Sequence, residues 1–399
     1  MKSNRNCVLT INGGSSSIKF SLYEIEGSLK QLFYGKMENI GTKNTKLSFK
    51  NSNTHEENSF DTKAADHTNA GDLLIDWLEK KDGFASVKAI GHRIVHGMKH
   101  TEPEIITSEL LDELKEISAY DPEHLPGEID LIEIFQKRYP LLPQIACFDT
   151  SFHSSMPAVA KLLPIPRRYN EKGIQRYGFH GLSYSFLIEE LKHIAGNETI
   201  QDRIILAHLG NGASMAAVKD GISIDTSMGF TPTSGLPMGT RSGDLEPGVA
   251  WYLMKVEKLS PEQFSHLINH ESGLLGVSET SSDMRELLKC ESTNSRAAEA
   301  IELFCYQTKK WIGSYAAVLG GLDTLVFSGG IGENAPEVRD RVCRGLKFLG
   351  IELDESKNLK NEAIISSDAS SVSVCVMKTN EELMIAKLVC HVLKYTIKN

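Results

Sequence analysis

A stretch near the start of the chain has the composition of an anion-binding turn. Residues 8–20, VLTINGGSSSIKF, leave an apolar run through Asn-Gly-Gly, continue with three serines and resume an apolar alternation that contains Lys19. A two-residue Asn-Gly turn would suffice for a hairpin, so the extra serines and the lysine indicate that the turn holds something. Glycine lets the backbone approach an anion closely, and serine hydroxyls and backbone N–H groups donate hydrogen bonds to it. We therefore expect this hairpin to bind an anion.

The same plan returns in the middle of the chain. Residues 9–24, LTINGGSSSIKFSLYE, and residues 206–221, LAHLGNGASMAAVKDG, both read as an apolar strand, small residues with Asn and Gly, and a returning strand. Each heads a half with the order β-β-β followed by mixed helices and strands. We therefore expect a duplicated α/β fold, with one domain over 1–150, joined by a C-terminal helix at 384–399, and another over 151–383. The two hairpins would then face each other across a cleft.

A third glycine-rich segment, SGGIGEN at 328–334, follows an apolar strand and precedes a helix with Pro336 in its first turn. It contains G-x-G without the full dinucleotide-binding spacing, so alone it is a weak signal. The sequence contains no G-x-x-x-x-G-K-[ST] motif. If the protein binds a nucleotide phosphate, we expect it to do so without a P-loop.

The composition bounds the class of protein. A chain of 399 residues with 41% hydrophobic and 24% charged residues exceeds one comfortable core, which favours two domains. The net charge of −9 argues against a general nucleic-acid or membrane binder. Seven scattered cysteines without a C-x-x-C pair indicate reduced thiols. The apolar run at 7–12 is too short for a signal peptide and no stretch approaches a membrane span, so we expect a cytoplasmic protein.

Apolar periodicity predicts the elements that carry the glycine-rich turns. The first strands are predicted at 7–12, 17–25 and about 32–40, and the polar residues 43–67 are predicted to form an exposed excursion. Helices are predicted at 70–81, 108–119, 128–138, 247–257, 261–269, 283–290, 295–319, 336–349 and 381–395.

Nine stretches, in order along nearly the whole chain, together resemble the acetate kinase family. They are NGGSSSIKF, GHRIVHG, FDTSFH, RYGFHGLSY, HLGNGAS, DTSMGFTP, GTRSGDLEPG, GGIGEN and TNEEL. The resemblance implies two actin-like (ribonuclease H-like) ATPase domains with mixed central sheets facing a cleft. It also implies a homodimer that transfers the γ-phosphoryl group of ATP reversibly and directly in line to acetate, giving acetyl phosphate and ADP, with Mg²⁺ (Mn²⁺ being an alternative) as the metal.

This reaction requires charge neutralisation, because a carboxylate anion must meet a triphosphate. Arginine suits the task, since a guanidinium holds a carboxylate or a phosphate through two parallel hydrogen bonds. The resemblance implies that Arg93, in GHRIVHG, binds the substrate and that Arg241, in GTRSGD, stabilises the transition state. His180 follows the aromatic turn RYGF and could be a packed structural ring. The resemblance favours a catalytic His180 that donates to the moving phosphoryl group.

The resemblance assigns further residues to the metal and the nucleotide. Asn12 and Glu381 match the metal positions, with Glu382 as an adjacent competing carboxylate, and Lys19 would place a positive charge near phosphate. The positions implied for the adenine nucleotide are His208, Leu209, Gly210, Asn211, Gly212, Asp283, Met284, Arg285, Gly330, Ile331, Gly332, Glu333 and Asn334.

Asp149 receives an acid/base role from the resemblance, but a carboxylate substrate is already deprotonated at neutral pH. We therefore expect Asp149 to orient an arginine or to act electrostatically.

The acceptor pocket implied by the resemblance is lined by Val95, Phe179 and Pro232. Its remaining position falls in DPEHLP, where Glu123 stands in place of the leucine common in the family. A buried carboxylate beside an anionic substrate would be costly. Either Glu123 turns outward and Leu125 fills the space, or the pocket accepts something other than acetate. The latter would make the protein a propionate or butyrate kinase.

Two readings outside carboxylate kinases remain at this stage. An actin-like or chaperone-like ATPase would use hydrolysis to drive partner binding, but Arg93 and Arg241 would then lack an evident task. A catalytically inactive paralogue is disfavoured by the intact set of Asn12, Lys19, Arg93, His180, Arg241 and Glu381.

Overall fold

The computed structural model describes residues 6–196 and 202–397. The chain forms two compact units: unit 1 comprises Met1–Ser151 and Asn380–Asn399, and unit 2 comprises Phe152–Thr379. Unit 1 is therefore built from two separate segments of the chain. Within the described ranges, no helix has the length and apolar character needed to cross a lipid bilayer.

The secondary-structure elements follow in chain order. The strands are β1 (Cys7–Gly13), β2 (Ser17–Ile25), β3 (Leu29–Glu38), β4 (Lys46–Asn51), β5 (Glu57–Asp61), β6 (Val87–Ile94), β7 (Glu104–Ile105), β8 (Gln144–Phe148), β9 (Arg203–Leu209), β10 (Ala213–Lys219), β11 (Ile222–Thr226), β12 (Thr324–Ser328) and β13 (Ser373–Val376). The helices are α1 (His67–Leu78), α2 (Ser108–Ile117), α3 (Leu125–Arg138), α4 (Ala158–Lys161), α5 (Arg167–Asn170), α6 (Gly181–Ala195), α7 (Pro247–Lys255), α8 (Pro261–His270), α9 (Gly273–Ser278), α10 (Met284–Cys290), α11 (Ser295–Leu319), α12 (Gly329–Asn334), α13 (Pro336–Cys343), α14 (Glu355–Leu359) and α15 (Glu381–Val392).

Each unit is built on a mixed sheet. Among the described residues, the sheet of unit 1 has eight strands in the order β5-β4-β3-β2-β1-β6-β8-β7, and the sheet of unit 2 has five in the order β11-β10-β9-β12-β13. In both sheets an antiparallel three-stranded meander is followed by two strands parallel to its first strand. The inner five strands of unit 1, β3-β2-β1-β6-β8, thus repeat the order and directions of the unit 2 sheet. The predicted duplicated α/β fold is confirmed in these two sheets.

The prediction of an exposed excursion at 43–67 is wrong, because β4 and β5 lie within it and extend the sheet of unit 1. Leu47 and Phe49 of β4 are buried, and the ring centroid of Phe49 lies 4.9 Å from that of Trp77 on α1. Every residue of β5 is exposed. An edge strand without a buried face has no apolar alternation, which explains why its composition reads as a loop.

Two glycines permit close packing next to the site. Gly91 on β6 lies under α15, where an added Cβ would come within 2.4 Å of Ile385 Cγ2. Gly329 has φ of 76°, and an added Cβ would lie 2.7 Å from the carbonyl oxygen of Leu209. This left-handed residue starts α12, so the segment predicted as a glycine-rich turn is a short helix that follows β12 directly.

Candidate active site

Arg93 of unit 1 is held in place by a buried carboxylate. Its guanidinium donates to Asp149 Oδ2 from Nε at 3.0 Å and from Nη2 at 2.6 Å, and to the Gly13 carbonyl from Nη1 at 3.0 Å. Asp149 directly follows β8, the neighbour of β6 in the sheet. Its side chain is fully buried, whereas 13% of the Arg93 side chain is exposed. Burial acts to lower the pKa of Arg93, but the charges of Asp149 and Glu381 and the hydrogen bonds to Asp149 together outweigh it and leave this pKa above its ordinary value.

Asn12 connects strand β1 to helix α15 through its side chain. It lies near the end of β1, and its Nδ2 donates to Glu381 Oε2 at 2.9 Å and to Glu382 Oε1 at 3.1 Å. The two glutamates open α15, which packs on β1 and β6. The structure therefore brings together the two predicted metal positions, and Glu382 with them. Lys19 is the cross-strand neighbour of Asn12 on β2 and is exposed.

The side chains of Glu381 and Glu382 offer oxygen atoms as ligands for a metal ion. Two carboxylates on one helical turn suit magnesium, which prefers oxygen ligands and takes few of them from protein. The amide of Asn12 turns its Nδ2 to these carboxylates, and its Oδ1 lies 3.5 Å from Arg93 Nη1. In the described parts of the chain, no group of three or more His, Cys, Asp or Glu side chains is arranged to hold a metal ion. A magnesium ion here would therefore complete its shell with water or phosphate oxygens.

The residues of unit 1 that were predicted to line the acceptor pocket are mostly buried. Val95, immediately after β6, is 1% exposed, and its backbone N–H donates to Glu128 Oε2 at 3.0 Å. Leu125 is fully buried in an apolar cluster with Ile94, whereas Glu123 is half-buried. Whether Leu125 fills the space expected of the family's leucine stays a prediction.

His180 of unit 2 is the centre of a hydrogen-bonded cluster. The residue has φ of 58° at the start of α6, and its Nδ1 is hydrogen-bonded to Ser214 Oγ on β10 at 2.8 Å. Its ring stacks on that of His208, with centroids 4.4 Å apart. His208 Nδ1 is in turn hydrogen-bonded to Ser183 Oγ at 2.9 Å. Both imidazoles are thereby fixed in orientation.

Arg241 lies next to this cluster. Its Nη1 donates to the carbonyl of Pro232 at 3.0 Å. A Cβ added to Gly212 would lie 3.4 Å from His180 Nε2 and 4.0 Å from Arg241 Nη1. The guanidinium, the imidazole and the glycine of the β9–β10 turn therefore converge on one place in unit 2. Phe179, which was also predicted to line the acceptor pocket, is buried, and its carbonyl is hydrogen-bonded to His153 Nε2 at 3.0 Å.

The three segments assigned to the nucleotide also converge within unit 2. A Cβ on Gly210 would lie 3.9 Å from the Gly330 backbone nitrogen, which brings the β9–β10 turn beside α12. A Cβ on Gly239 would lie within 2.1 Å of Asn211 Oδ1 and 3.3 Å from the Ser282 carbonyl. The residues before α10 therefore lie close to the same turn.

The side chains at the start of α10 bond mainly to one another. Asp283 caps the helix by accepting the backbone N–H of Arg285 at 2.8 Å. The same carboxylate accepts from the Arg285 guanidinium, which lowers the pKa of Asp283. Arg285 is 83% exposed, whereas Met284 is buried.

The predicted residues thus fall into two sets, one in each unit. Unit 1 carries Asn12, Lys19, Arg93, Val95, Asp149 and Glu381. Unit 2 carries Phe179, His180, His208, Leu209, Gly210, Asn211, Gly212, Pro232, Arg241, Asp283, Met284, Arg285, Gly330, Ile331, Gly332, Glu333 and Asn334.

Two buried ionisable residues next to these sets were missed from sequence. Arg339 of α13 is fully buried and donates to the Gly332 carbonyl of α12 at 2.8 Å, which fixes the end of the GGIGEN segment. Burial lowers the pKa of Arg339 to about 10. Glu128 of α3 is 3% exposed and reaches the strand that carries Arg93. A signal for Glu128 exists, because it shares the 3–4-residue spacing of the buried Leu131, Ile132 and Phe135.

Comparison with known proteins gives the family. The model of the acetokinase family matches residues 7–387. The chain belongs to this family. It is 42% identical to an acetate kinase of Methylocella silvestris over 398 residues, with 96% of each chain covered. Among solved structures, acetate kinase from Porphyromonas gingivalis is 38% identical with a TM-score of 0.86, over 97% of this chain and 100% of that one. A propionate kinase from Francisella tularensis is also 38% identical, with a TM-score of 0.89 over 96% and 98%.

The resemblance drawn from the nine motifs is confirmed by these comparisons. The class of enzyme that it implies is confirmed as well: the acetokinase member described here is an ATP-dependent carboxylate kinase, a phosphotransferase.

Proposed function

We propose that this acetokinase transfers the γ-phosphoryl group of ATP reversibly to acetate, giving acetyl phosphate and ADP. The observation that carries the proposal is the fixed guanidinium of Arg93, which is oriented by the two hydrogen bonds that it donates to Asp149 and the one that it donates to the Gly13 carbonyl. Such an arginine is preorganised to hold a small carboxylate without reorganising itself.

In this proposal Arg93 binds the acetate carboxylate and leaves one of its oxygens as the nucleophile. Acetate is ionised at neutral pH, so no base is required to activate it. Asp149 acts through Arg93: it keeps the guanidinium charged and oriented and does not remove a proton from the substrate. The residual exposure of Arg93 gives the substrate access, while full burial of Asp149 excludes water from the ion pair.

The groups of unit 2 act on the transferred phosphoryl group in this mechanism. His180 and Arg241 converge beside Gly212, so an imidazole N–H, a guanidinium and a backbone turn are available to phosphoryl oxygens at one place. Preorganised donors of this kind stabilise the charge that develops during in-line transfer. The hydrogen bond between Ser214 Oγ and His180 Nδ1 fixes the ring so that Nε2 faces Gly212.

The nucleotide would bind over the β9–β10 turn and the start of α12. These segments are rich in glycine and lie next to each other, which leaves backbone groups open to phosphates and adenosine. Asp283, Met284 and Arg285 would border the site from α10.

Magnesium fits the corner formed by Asn12, Glu381 and Glu382, whose oxygen donors are of the type that this ion prefers. When bound there, the ion would neutralise phosphate charge and orient the triphosphate. Lys19, which is paired with Asn12 across the hairpin, would add a further positive charge.

Propionate kinase activity is the second candidate, because the propionate kinase of Francisella tularensis is as similar in sequence as the acetate kinase of Porphyromonas gingivalis. One methylene in an apolar pocket changes binding by only about 1–3 kcal/mol, so we expect overlapping use of both acids. The burial of Leu125 and Val95 favours acetate. Turnover with C2, C3 and C4 carboxylates on the wild type and on Glu123→Leu tests this preference.

We also infer that the enzyme is a cytoplasmic homodimer. Helix α7 has no buried residue and exposes Trp251 and Tyr252 at 62% and 49%. An exposed aromatic face of this kind suits contact with a second copy of the chain. The molar mass in solution, compared between the wild type and Trp251→Glu, tests the inference.

The deciding experiment measures ADP formation with and without acetate and detects acetyl phosphate as its hydroxamate. We expect ADP and acetyl phosphate in equal amounts, only when acetate is present. Arg93→Ala should lower kcat/KM for acetate on the order of 100-fold or more, since it removes the guanidinium that binds the carboxylate. Arg167→Ala, at an exposed position of α5, is the matched control. Acetate-independent turnover would favour the actin-like or chaperone-like ATPase, and no turnover with any carboxylate would favour an inactive paralogue.

A further inference from the structure

Glu128 occupies an unusual position for a glutamate. It lies in the first turns of α3, is 3% exposed, and its Oε2 accepts the backbone N–H of Val95 at 3.0 Å. The Cγ atom lies beside Gly13 at the end of β1, where an added Cβ would be 3.5 Å from it. Glu128 thus bonds to the chain that follows Arg93 and lies next to the end of β1.

The hydrogen bond from Val95 fixes the backbone one residue beyond the last paired residue of β6. Pairing between β6 and β8 ends at Ile94 opposite Phe148, so the next N–H has no strand partner in that register. A buried N–H without an acceptor costs free energy. Glu128 supplies the acceptor and thereby fixes the backbone two residues after Arg93.

A glutamate is a costly choice for this task. Its Oε1 is also buried and has no hydrogen-bond partner within residues 6–196 and 202–397. A negative charge near the N-terminus of α3 interacts favourably with the helix dipole, which would explain an acidic residue on the exposed surface of the helix. It does not explain an acidic residue that is buried.

From these contacts we propose that Glu128 is a positioning residue for the acceptor carboxylate. By holding the Val95 backbone and filling the space beside Gly13, whose carbonyl accepts from Arg93, it sets the place of the Arg93 guanidinium and of the adjacent pocket wall. The proposal rests on the function proposed above, because the acceptor is there assigned to Arg93.

The charge state of Glu128 is compatible with this task. Burial raises its pKa to about 8, against the opposing effect of the Arg93 charge and the hydrogen bond from Val95. Nearby Asp121 and Asp149 act in the same direction as burial. At neutral pH the side chain is therefore mostly uncharged, so it does not compete with the substrate for Arg93.

The test compares Glu128→Gln with Glu128→Ala in the full-length enzyme. Glutamine retains an oxygen that can accept from Val95, so we expect KM for acetate to stay within about 3-fold of the wild type. Alanine removes the acceptor, and we expect KM for acetate to rise roughly 10-fold while KM for ATP changes less than about 2-fold. Glu128→Met serves in place of alanine if the alanine variant does not fold. Glu133→Gln, at a half-exposed position of the same helix, is the control.

A second measurement does not depend on activity. Hydrogen–deuterium exchange at the Val95 amide should be faster in Glu128→Ala than in the wild type and unchanged in Glu128→Gln. Equal KM values for acetate in all variants would overturn the proposal, as would a parallel rise in both KM values or failure of glutamine to rescue. A wild type that forms no acetyl phosphate, with the exchange pattern as expected, would instead overturn the proposed function and leave the Glu128–Val95 contact established.

Discussion

Replacing Asp149 with asparagine removes the charge that orients Arg93 while nearly preserving shape. The carboxylate is fully buried, and it accepts two hydrogen bonds from a guanidinium that is 13% exposed. Breaking a buried ion pair by removing one partner costs about 3–5 kcal/mol. Asparagine still offers an acceptor, so we expect the free energy of unfolding to fall by about 3 kcal/mol. For a unit of this size that corresponds to a decrease in Tm of about 6–12 °C.

The same substitution separates two roles of Asp149 in catalysis. If it orients Arg93, KM for acetate should rise on the order of 10-fold or more, because the guanidinium loses its fixed geometry. The shape of the pH–rate profile should persist, since the substrate has no proton to lose at neutral pH. If Asp149 were a general base, one limb of that profile would disappear instead.

Scanning calorimetry and initial rates over a range of pH provide the measurements. Asp76→Asn is the matched control, because Asp76 forms an ion pair with Arg138 at 2.9 Å in which both side chains are about half-exposed. Exposed pairs of this kind contribute about 1 kcal/mol or less. An Asp149→Asn enzyme with the Tm and the KM of the wild type would refute the reasoning.

Three further predictions concern other parts of the molecule. Burial lowers the pKa of both His92 and His153 to about 4 from the ordinary value of 6.5, so the unfolded chain binds more protons than the folded one. The free energy of unfolding should therefore fall as the pH drops below about 6.5, by about 2 kcal/mol for each ring at pH 5. Urea unfolding at pH 7 and pH 5 measures this, and His92→Gln should reduce the difference. Ser214→Ala removes the hydrogen bond to His180 Nδ1, so kcat should fall roughly 10-fold with little change in either KM; an unchanged kcat would contradict a need for ring orientation. Gly329→Ala adds a Cβ 2.7 Å from a backbone oxygen of β9 at a residue with φ of 76°. Thermal unfolding should therefore show that the free energy of unfolding falls by at least about 1–2 kcal/mol. Gly313→Ala, with open space around the added Cβ, is the control and should change the free energy of unfolding little.

The sequence predicts the parts of this fold in which the pattern of apolar residues along the chain matches the period of a strand or a helix. The glycine hairpin at Asn12 and the returning pattern at His208 identify the two meanders, because both combine apolar strands with residues suited to tight turns. The edge strand β5 is missed, since none of its side chains is buried. Helix α6 is missed too: it begins at His180 in the left-handed conformation and lacks a side-chain cap, so its start carries no capping signal.

Within the candidate site, motifs identify residue types but not their partners. Arg93 and Asp149 are 56 positions apart, and only the adjacency of β6 and β8 in the sheet explains why they pair. The partner of Asn12 lies 369 positions away, on a helix that returns to the first sheet. Arg339 is the hardest case, because an arginine in a short helix ordinarily faces solvent, and its burial depends on carbonyl groups from α12 and α14.

The return of α15 to unit 1 has a consequence for biosynthesis. The ribosome makes β1 to β8 first, then all of unit 2, and only afterwards the helix that covers Gly91 and meets Asn12. While more than two hundred further residues are synthesised, the nascent first sheet therefore has an apolar face that α15 does not yet cover. Chaperone capture during translation should concentrate in that interval, and supplying the α15 peptide in trans should shorten it.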